Sequence, residues 1–133
     1  MEKLFPRTLA SLGALTEFVN DYLAANGIPG SGNTVNLIVE ELFVNALAHG
    51  RGGGENIVLD LSHDKGGVTV SMTDFEVEPF DITKAPEADI QRSPEERTPG
   101  GLGIHLIRRL ASEIRYDYRD RRSTITVRTR PED

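Results

Sequence analysis

A carboxylate and an amide on one face of an apolar segment are the first residues in this sequence that could do chemistry. Residues 36–50 read NLIVEELFVNALAHG and are apolar almost all round. At helical spacing Glu41 and Asn45 lie one turn apart on the same face, whereas Glu40 points away and is predicted to be solvated. Burying an unpaired carboxylate is costly, so Glu41 is expected to have a partner or to line a cavity. A structural polar pair explains the two residues equally well.

A glycine-rich turn and a strand-end aspartate are the other candidates. Residues 100–103 read GGLG and open a helix, where backbone N–H groups and the helix N-terminus can bind a phosphate. An ordinary turn is the alternative. In residues 68–74 apolar and hydroxyl side chains alternate, and this period of two puts Asp74 on the apolar side. A carboxylate there needs a donor, although a turn-capping aspartate would look the same.

The elements that must position these residues follow from periodicity and turn signals. Residues 2–9 are predicted to form a strand, followed by a helix that has Ser11 as its N-cap and ends at Asn26 and Gly27. The apolar segment of residues 36–50 is predicted to be the second helix, with Thr34 or Ser31 near its start and His49 and Gly50 at its end. Two hairpins and a third helix follow, with an irregular, proline-rich and acidic segment between the hairpins that is typical of a functional lid. The hairpin strands are residues 56–62 and 68–74, then 114–118 and 123–129; the lid is residues 75–99; and the third helix buries Ile104, Ile107, Leu110 and Ala111.

This order of elements predicts an α+β fold. Strands that pair mostly as antiparallel hairpins, with helices on one face, make a two-layer α/β sandwich, and residues 1–133 are expected to form a single domain. The net charge of −6 argues against general nucleic-acid binding. The chain has no cysteine and no apolar run long enough to span a membrane, so a cytoplasmic protein is the simplest expectation.

Taken together, the motifs resemble the three ATP-binding boxes of the GHKL (Bergerat-fold) ATPases. The matching residues are EELFVNALAHG, the strand that ends in Asp74, and ERTPGGLGIHLIRRL. The short length and the His-Gly after the asparagine resemble the anti-sigma factor serine kinases, the RsbW-like group. The resemblance covers about residues 34–129, and the middle box is its most degraded part.

The resemblance implies a role for each matching residue. Glu41 would be the general base, Asn45 the Mg²⁺ ligand and Asp74 the acceptor for the adenine amino group. Ser123 stands where the family usually has a threonine near that aspartate. Arg97, in the lid, would contact the γ-phosphate. The residues that would wrap the phosphates of ATP are Gly101, Leu102, Gly103 and Ile104.

Two acidic residues depart from the family pattern. Glu76 and Glu78 stand where the middle box has glycines. Carboxylates beside a triphosphate would repel it, so either the loop directs them outward or the affinity for nucleotide is reduced.

The function that the resemblance implies is that of an Mg-ATP-dependent serine/threonine-protein kinase and anti-sigma factor. Its substrate would be an anti-anti-sigma (STAS-type) protein, and a sigma factor would be the alternative partner. Homodimerisation through the first strand is a further possibility, and no nucleic-acid or membrane partner is expected. Three alternatives remain: a nucleotide-gated binding switch without kinase activity, an isolated histidine-kinase ATPase domain, and a scaffold without a ligand.

Overall fold

The computed structural model describes residues 1–28, 32–49, 53–65, 67–79 and 101–129, apart from the side chains of residues 32, 33, 49 and 101–104. The described elements are five strands and three helices. The strands are β1 (Glu2–Pro6), β2 (Asn56–Asp64), β3 (Gly67–Phe75), β4 (Ala111–Arg119) and β5 (Arg122–Thr129). The helices are α1 (Leu12–Ala25), α2 (Gly32–His49) and α3 (Gly101–Leu110).

The strands form one sheet in the order β1-β2-β3-β5-β4, and neighbouring strands are antiparallel. Side chains that alternate along each strand give the sheet one face packed against the helices and one opposite face. In β3 the side chains of Val68, Val70 and Met72 are buried against the helices, where apolar burial stabilises the fold. On the opposite face Ser71 is hydrogen-bonded to Thr126 across the β3–β5 pair, at 3.0 Å between the hydroxyl oxygens. The predicted two-layer α+β fold is confirmed.

Helix α2 is the central element of the helical layer. It buries Ile38, Val39, Leu42 and Phe43, and the side chain of Glu40 is exposed, as the helical period predicts. The helix begins at Gly32, close to the start near Ser31 or Thr34 that the sequence predicts. Val35 extends the apolar stripe into the first turn and is fully buried.

Helix α1 begins and ends where the sequence predicts, although the expected capping hydrogen bond at its start is not made. The turn at Gly27 has a φ of +61°, a left-handed conformation that glycine adopts readily, and the Asn26 side chain donates to the carbonyl of Tyr22 at 2.8 Å. Ser11 occupies the N-cap position of α1, as predicted, but its side chain makes no capping hydrogen bond. Ser11 lies in a short 3-10 turn, Leu9–Ser11, and its hydroxyl donates to the carbonyl of Pro6 at 2.7 Å.

Two further boundaries differ from the predictions. Strand β1 ends at Pro6 rather than at residue 9, because the chain turns there and the N–H of Thr8 donates to the carbonyl of Pro6 at 2.8 Å. Ala111 is buried, but it is the first residue of β4 and pairs with Thr129 instead of extending the helical stripe. Among the described helices, none is both long and apolar enough to cross a membrane.

Candidate functional site

Glu41 and Asn45 lie in the C-terminal half of α2. Asn45 is buried, with 6% of its surface exposed, and its side-chain nitrogen donates to the backbone carbonyl of Glu41 at 2.7 Å. Only the amide nitrogen can donate to a carbonyl, so the amide oxygen of Asn45 points away from it and remains an acceptor. Glu41 is half-buried. Burial raises the pKa of its carboxyl group, and the charge of Glu40 raises it further.

Asp74 lies at the end of β3 with its side chain turned into the helical layer, as its strand phase predicts. It has 6% of its surface exposed. The strand register places Asp74 directly opposite Ser123 on β5 and opposite Ile57 on β2. The structure therefore brings together two of the predicted site residues, Asp74 and Ser123, from different hairpins.

Arg7 is a residue of this site that the sequence analysis missed. Its Nε donates to one carboxylate oxygen of Asp74 and its Nη2 donates to the other, both at 3.1 Å. Nη2 also donates to the backbone carbonyl of Ala46 on α2 at 2.8 Å. The two charged side chains are 14% and 8% exposed. This partly buried ion pair joins the chain after β1 to the end of β3 and to α2.

The strand register explains how Arg7 reaches Asp74. Phe5, Ile57 and Asp74 lie in one row across β1, β2 and β3. Arg7 is two residues beyond Phe5, which is buried, so the period of two directs the arginine to the same inner face of the sheet. The alternation was visible in the sequence. The register was not, because it joins segments about fifty residues apart.

Residues 53–55 form a strap against the guanidinium of Arg7. Gly53 has a φ of +72°, and a Cβ built there would lie 2.5 Å from the Cζ of Arg7. The N–H groups of Gly53 and Gly54 donate to the carbonyls of Glu76 and Phe75, at 2.9 and 2.8 Å. The N–H of Arg7 donates to the carbonyl of Glu55 at 2.9 Å. The strap thus holds Arg7 between itself and Asp74.

The two acidic departures from the family pattern point outward. Glu76 has a φ of +57°, so its backbone keeps the left-handed conformation that glycine favours at the position where the motif has glycine. Its side chain is 75% exposed and lies 3.9 Å from the Nε of Arg121. Glu78 is exposed as well. The carboxylate of Glu76 is therefore directed to solvent.

The third box is only partly within the described residues. Helix α3 begins at Gly101, so its N-terminus falls where the glycine-rich turn predicts. The side chains of residues 101–104 lie outside the description, and so does the whole of Arg97. Their predicted roles with the phosphates of ATP stay predictions.

The residues present fit a magnesium ion held mainly by a nucleotide. Within the described ranges no group of three or more His, Asp or Glu side chains could hold a metal ion. Mg²⁺ commonly binds through one or two protein oxygens together with phosphate oxygens and water. The amide oxygen of Asn45 would suit that role.

Comparison with known proteins identifies the class. Residues 5–129 match the family model described as the histidine kinase-like ATPase domain, so the chain belongs to this family. It is a GHKL-type, kinase-like ATPase domain, a class that binds ATP.

Two solved structures are similar in fold. One is the histidine kinase AdeS of Acinetobacter baumannii, with a TM-score of 0.53 and 14% identity over 100% of this chain and 68% of that one. The other is the histidine kinase domain of the Erythrobacter litoralis EL346 blue-light activated histidine kinase, with a TM-score of 0.51 and 16% identity. That match covers 96% of this chain and 62% of the other. No curated protein matches the sequence.

Proposed function

We propose that this domain is an anti-sigma factor that acts as an Mg-ATP-dependent serine/threonine-protein kinase on an anti-anti-sigma (STAS-type) protein. One observation carries the proposal. A single nitrogen of Arg7 donates both to Asp74 and to the carbonyl of Ala46, the residue after Asn45. The carboxylate assigned to adenine and the backbone next to Asn45, the residue assigned to magnesium, therefore lie within hydrogen-bond distance of the same nitrogen.

In this proposal each residue acts on a different part of the nucleotide. Asp74 accepts a hydrogen bond from the adenine amino group, with Ser123 beside it. Asn45 would hold the magnesium ion, which would neutralise charge on the phosphates. Backbone N–H groups at the start of α3, from Gly101 to Ile104, and the side chain of Arg97 stabilise the transferring phosphoryl group.

Glu41 takes the proton in the transfer step. The hydroxyl oxygen of the partner's serine forms a bond to the γ-phosphorus while the bond from that phosphorus to ADP breaks. The serine proton passes to the carboxylate of Glu41, which must therefore be ionised beforehand. Burial raises the pKa of this carboxyl group, and a carboxylate with a raised pKa is a stronger base.

The test is incubation of the protein with radiolabelled ATP, Mg²⁺ and a purified STAS-domain protein that carries a serine acceptor. We expect label on that serine, and no label when the serine is replaced by alanine. Bound ATP without transfer to any serine or threonine would contradict the kinase assignment.

A nucleotide-gated binding switch without kinase activity is the second candidate. The observation that favours it is that Glu76 and Glu78 stand where the middle box of the ATPases has glycines. A switch would capture its partner in a nucleotide-dependent way and leave it unmodified. Partner pull-down with and without ATP, followed by mass spectrometry of the partner, distinguishes the two candidates.

The position of β1 supports association through the first strand as part of this proposal. β1 is at one edge of the five-stranded sheet, and its Leu4 side chain is 58% exposed. Edge strands present backbone groups that can pair with a second chain. Sedimentation of the wild type and of Leu4→Glu would show whether the protein is a dimer and whether β1 is needed for it.

A further inference from the structure

The carboxylate of Asp74 is engaged on both of its oxygens in this structure. The Nε and Nη2 atoms of Arg7 each donate to one oxygen at 3.1 Å, a two-pronged arrangement typical of strong arginine–carboxylate pairs. Only 8% of the Asp74 side chain is exposed. A base that hydrogen-bonds to this carboxylate needs space next to it, and the guanidinium fills part of that space.

Arg7 is also held from its other sides. Its Nη2 donates to the carbonyl of Ala46 at 2.8 Å, and the backbone of Gly53 lies against the guanidinium, as shown by the 2.5 Å between a Cβ built at Gly53 and the Cζ of Arg7. The guanidinium therefore has a defined resting place between the strap of residues 53–55 and the end of β3. Its position is a property of the fold and not of an exposed, mobile side chain.

We infer that Arg7 competes with the purine base for Asp74 and so lowers the affinity of this domain for nucleotide. The inference rests on the proposed function only in taking Asp74 as the acceptor for the adenine amino group. Without nucleotide, both carboxylate oxygens of Asp74 accept hydrogen bonds from Arg7. When nucleotide binds, the guanidinium gives up at least one of its two bonds to Asp74, and the base amino group takes that acceptor.

Competition by Arg7 and a purely structural role of Arg7 predict opposite changes in nucleotide affinity when the arginine is removed. If only a fraction of the molecules has the carboxylate released, the apparent dissociation constant equals the intrinsic constant divided by that fraction. Removing the competing donors then tightens binding, even though the folded protein becomes less stable. If Arg7 instead only positions Asp74 for the base, removing it weakens binding.

The experiment measures the affinity for a non-hydrolysable ATP analogue by calorimetry in the wild type, in Arg7→Gln and in Arg7→Lys. The matched control is Arg128→Gln, which removes the arginine of another ion pair, the one that joins Arg128 on β5 to Asp64 at the end of β2. We expect about threefold to tenfold tighter binding for Arg7→Gln, a smaller gain for Arg7→Lys, and no change for the control. Equal or weaker binding by folded Arg7→Gln overturns the inference, as does a lack of binding by every variant.

A second measurement uses the wild type and decides the matter if the variants do not fold. The Nε–H group of Arg7 gives a ¹⁵N NMR signal that can be assigned through its loss in Arg7→Lys or by selective labelling. Competition predicts that the nucleotide shifts this signal and speeds its hydrogen exchange. An Nε–H signal that the bound nucleotide leaves in place and protected overturns the inference. Neither readout requires phosphoryl transfer, so ATP binding without transfer would refute the kinase and leave this inference standing.

Discussion

The side-chain nitrogen of Asn45 is bonded to the backbone carbonyl of Glu41, one helical turn earlier, at 2.7 Å. The contact from Asn45 goes to the backbone of Glu41, so replacing the Glu41 side chain leaves this hydrogen bond in place. The two side chains can therefore be removed separately and their effects compared.

We expect Asn45→Ala and Glu41→Ala to separate nucleotide binding from transfer. Asn45→Ala removes a magnesium ligand, so the affinity for Mg-ATP falls and transfer is lost. Glu41→Ala removes the base and a negative charge near the phosphates, so binding survives or tightens while transfer falls by about 10²–10⁴. Calorimetry and serine phosphorylation are measured on both variants. Parallel loss of binding and stability in the two would indicate a structural pair instead.

The stability of the protein is expected to depend on the ionisation of Glu41. Burial raises its pKa above the ordinary value of 4.5, so between these two pKa values the folded state binds more protons than the unfolded state. The contribution of Glu41 to stability is therefore present at low pH and is lost as the pH rises through the raised pKa. Denaturant unfolding from pH 4 to 8 should show a weaker decline for Glu41→Gln than for the wild type. Identical pH profiles would contradict this.

Glu76→Gly is expected to stabilise the domain. Glu76 holds a φ of +57°, a conformation that costs a side-chain-bearing residue about 1 kcal/mol relative to glycine. Its side chain is 75% exposed, so little packing is lost with it. Thermal unfolding should show a gain of about 1 kcal/mol or somewhat less. Glu78→Gly is the control, an exposed glutamate that should lose stability through added chain entropy. A loss of stability in both variants would show that the backbone of Glu76 is not strained.

Gly53→Ala is expected to destabilise the domain more than Gly27→Ala does. Both glycines have positive φ, +72° and +61°, so both variants carry the strain of a left-handed alanine, about 1 kcal/mol. A Cβ at Gly27 meets no atom within 4 Å, whereas one at Gly53 collides with the guanidinium of Arg7. The additional loss in Gly53→Ala therefore measures how firmly Arg7 is held. If chemical denaturation shows equal losses of stability for Gly53→Ala and Gly27→Ala, the guanidinium of Arg7 can move away from the new Cβ without cost.

Asp74→Asn is expected to affect both the fold and the nucleotide. It leaves the guanidinium of Arg7, 14% exposed, without its charged partner, and breaking such a buried pair costs about 3 kcal/mol. The amide also lacks the second acceptor oxygen, so the affinity for ATP should fall. Asp74→Asn combined with Arg7→Gln should be more stable than the sum of the single losses predicts. If the stability losses of the two single variants simply add in the double variant, the ion pair contributes nothing to the stability of the fold.

Much of the fold was predictable because its signals are local. The buried alternation of Val68, Val70 and Met72, and the end of α1 at Gly27, follow from neighbouring residues alone. The inward phase of Asp74 followed in the same way. Local patterns also misled, for example at Ser11, which has the chemistry of a helix cap but donates its hydroxyl hydrogen to the carbonyl of Pro6.

The partner of Asp74 was not predictable, because it depends on pairing between distant segments. Arg7 comes to lie beside Asp74 only when β1, β2 and β3 adopt one particular register. A shift by one residue would turn Arg7 to the other face. The left-handed backbone at Glu76 was also hidden, since glutamate gives no signal for positive φ.

The strand order has a consequence for how the chain folds. The hairpins β2–β3 and β4–β5 are each local in sequence, but the sheet is joined through β3 and β5, where Met72 pairs with Ile125. Local hairpins close quickly, and contacts between distant segments form slowly because a long loop must be closed first. We expect each hairpin to form early, before the pairing of β3 with β5. That pairing also places Asp74 opposite Ser123, so we expect nucleotide binding to arise only after β3 and β5 have paired.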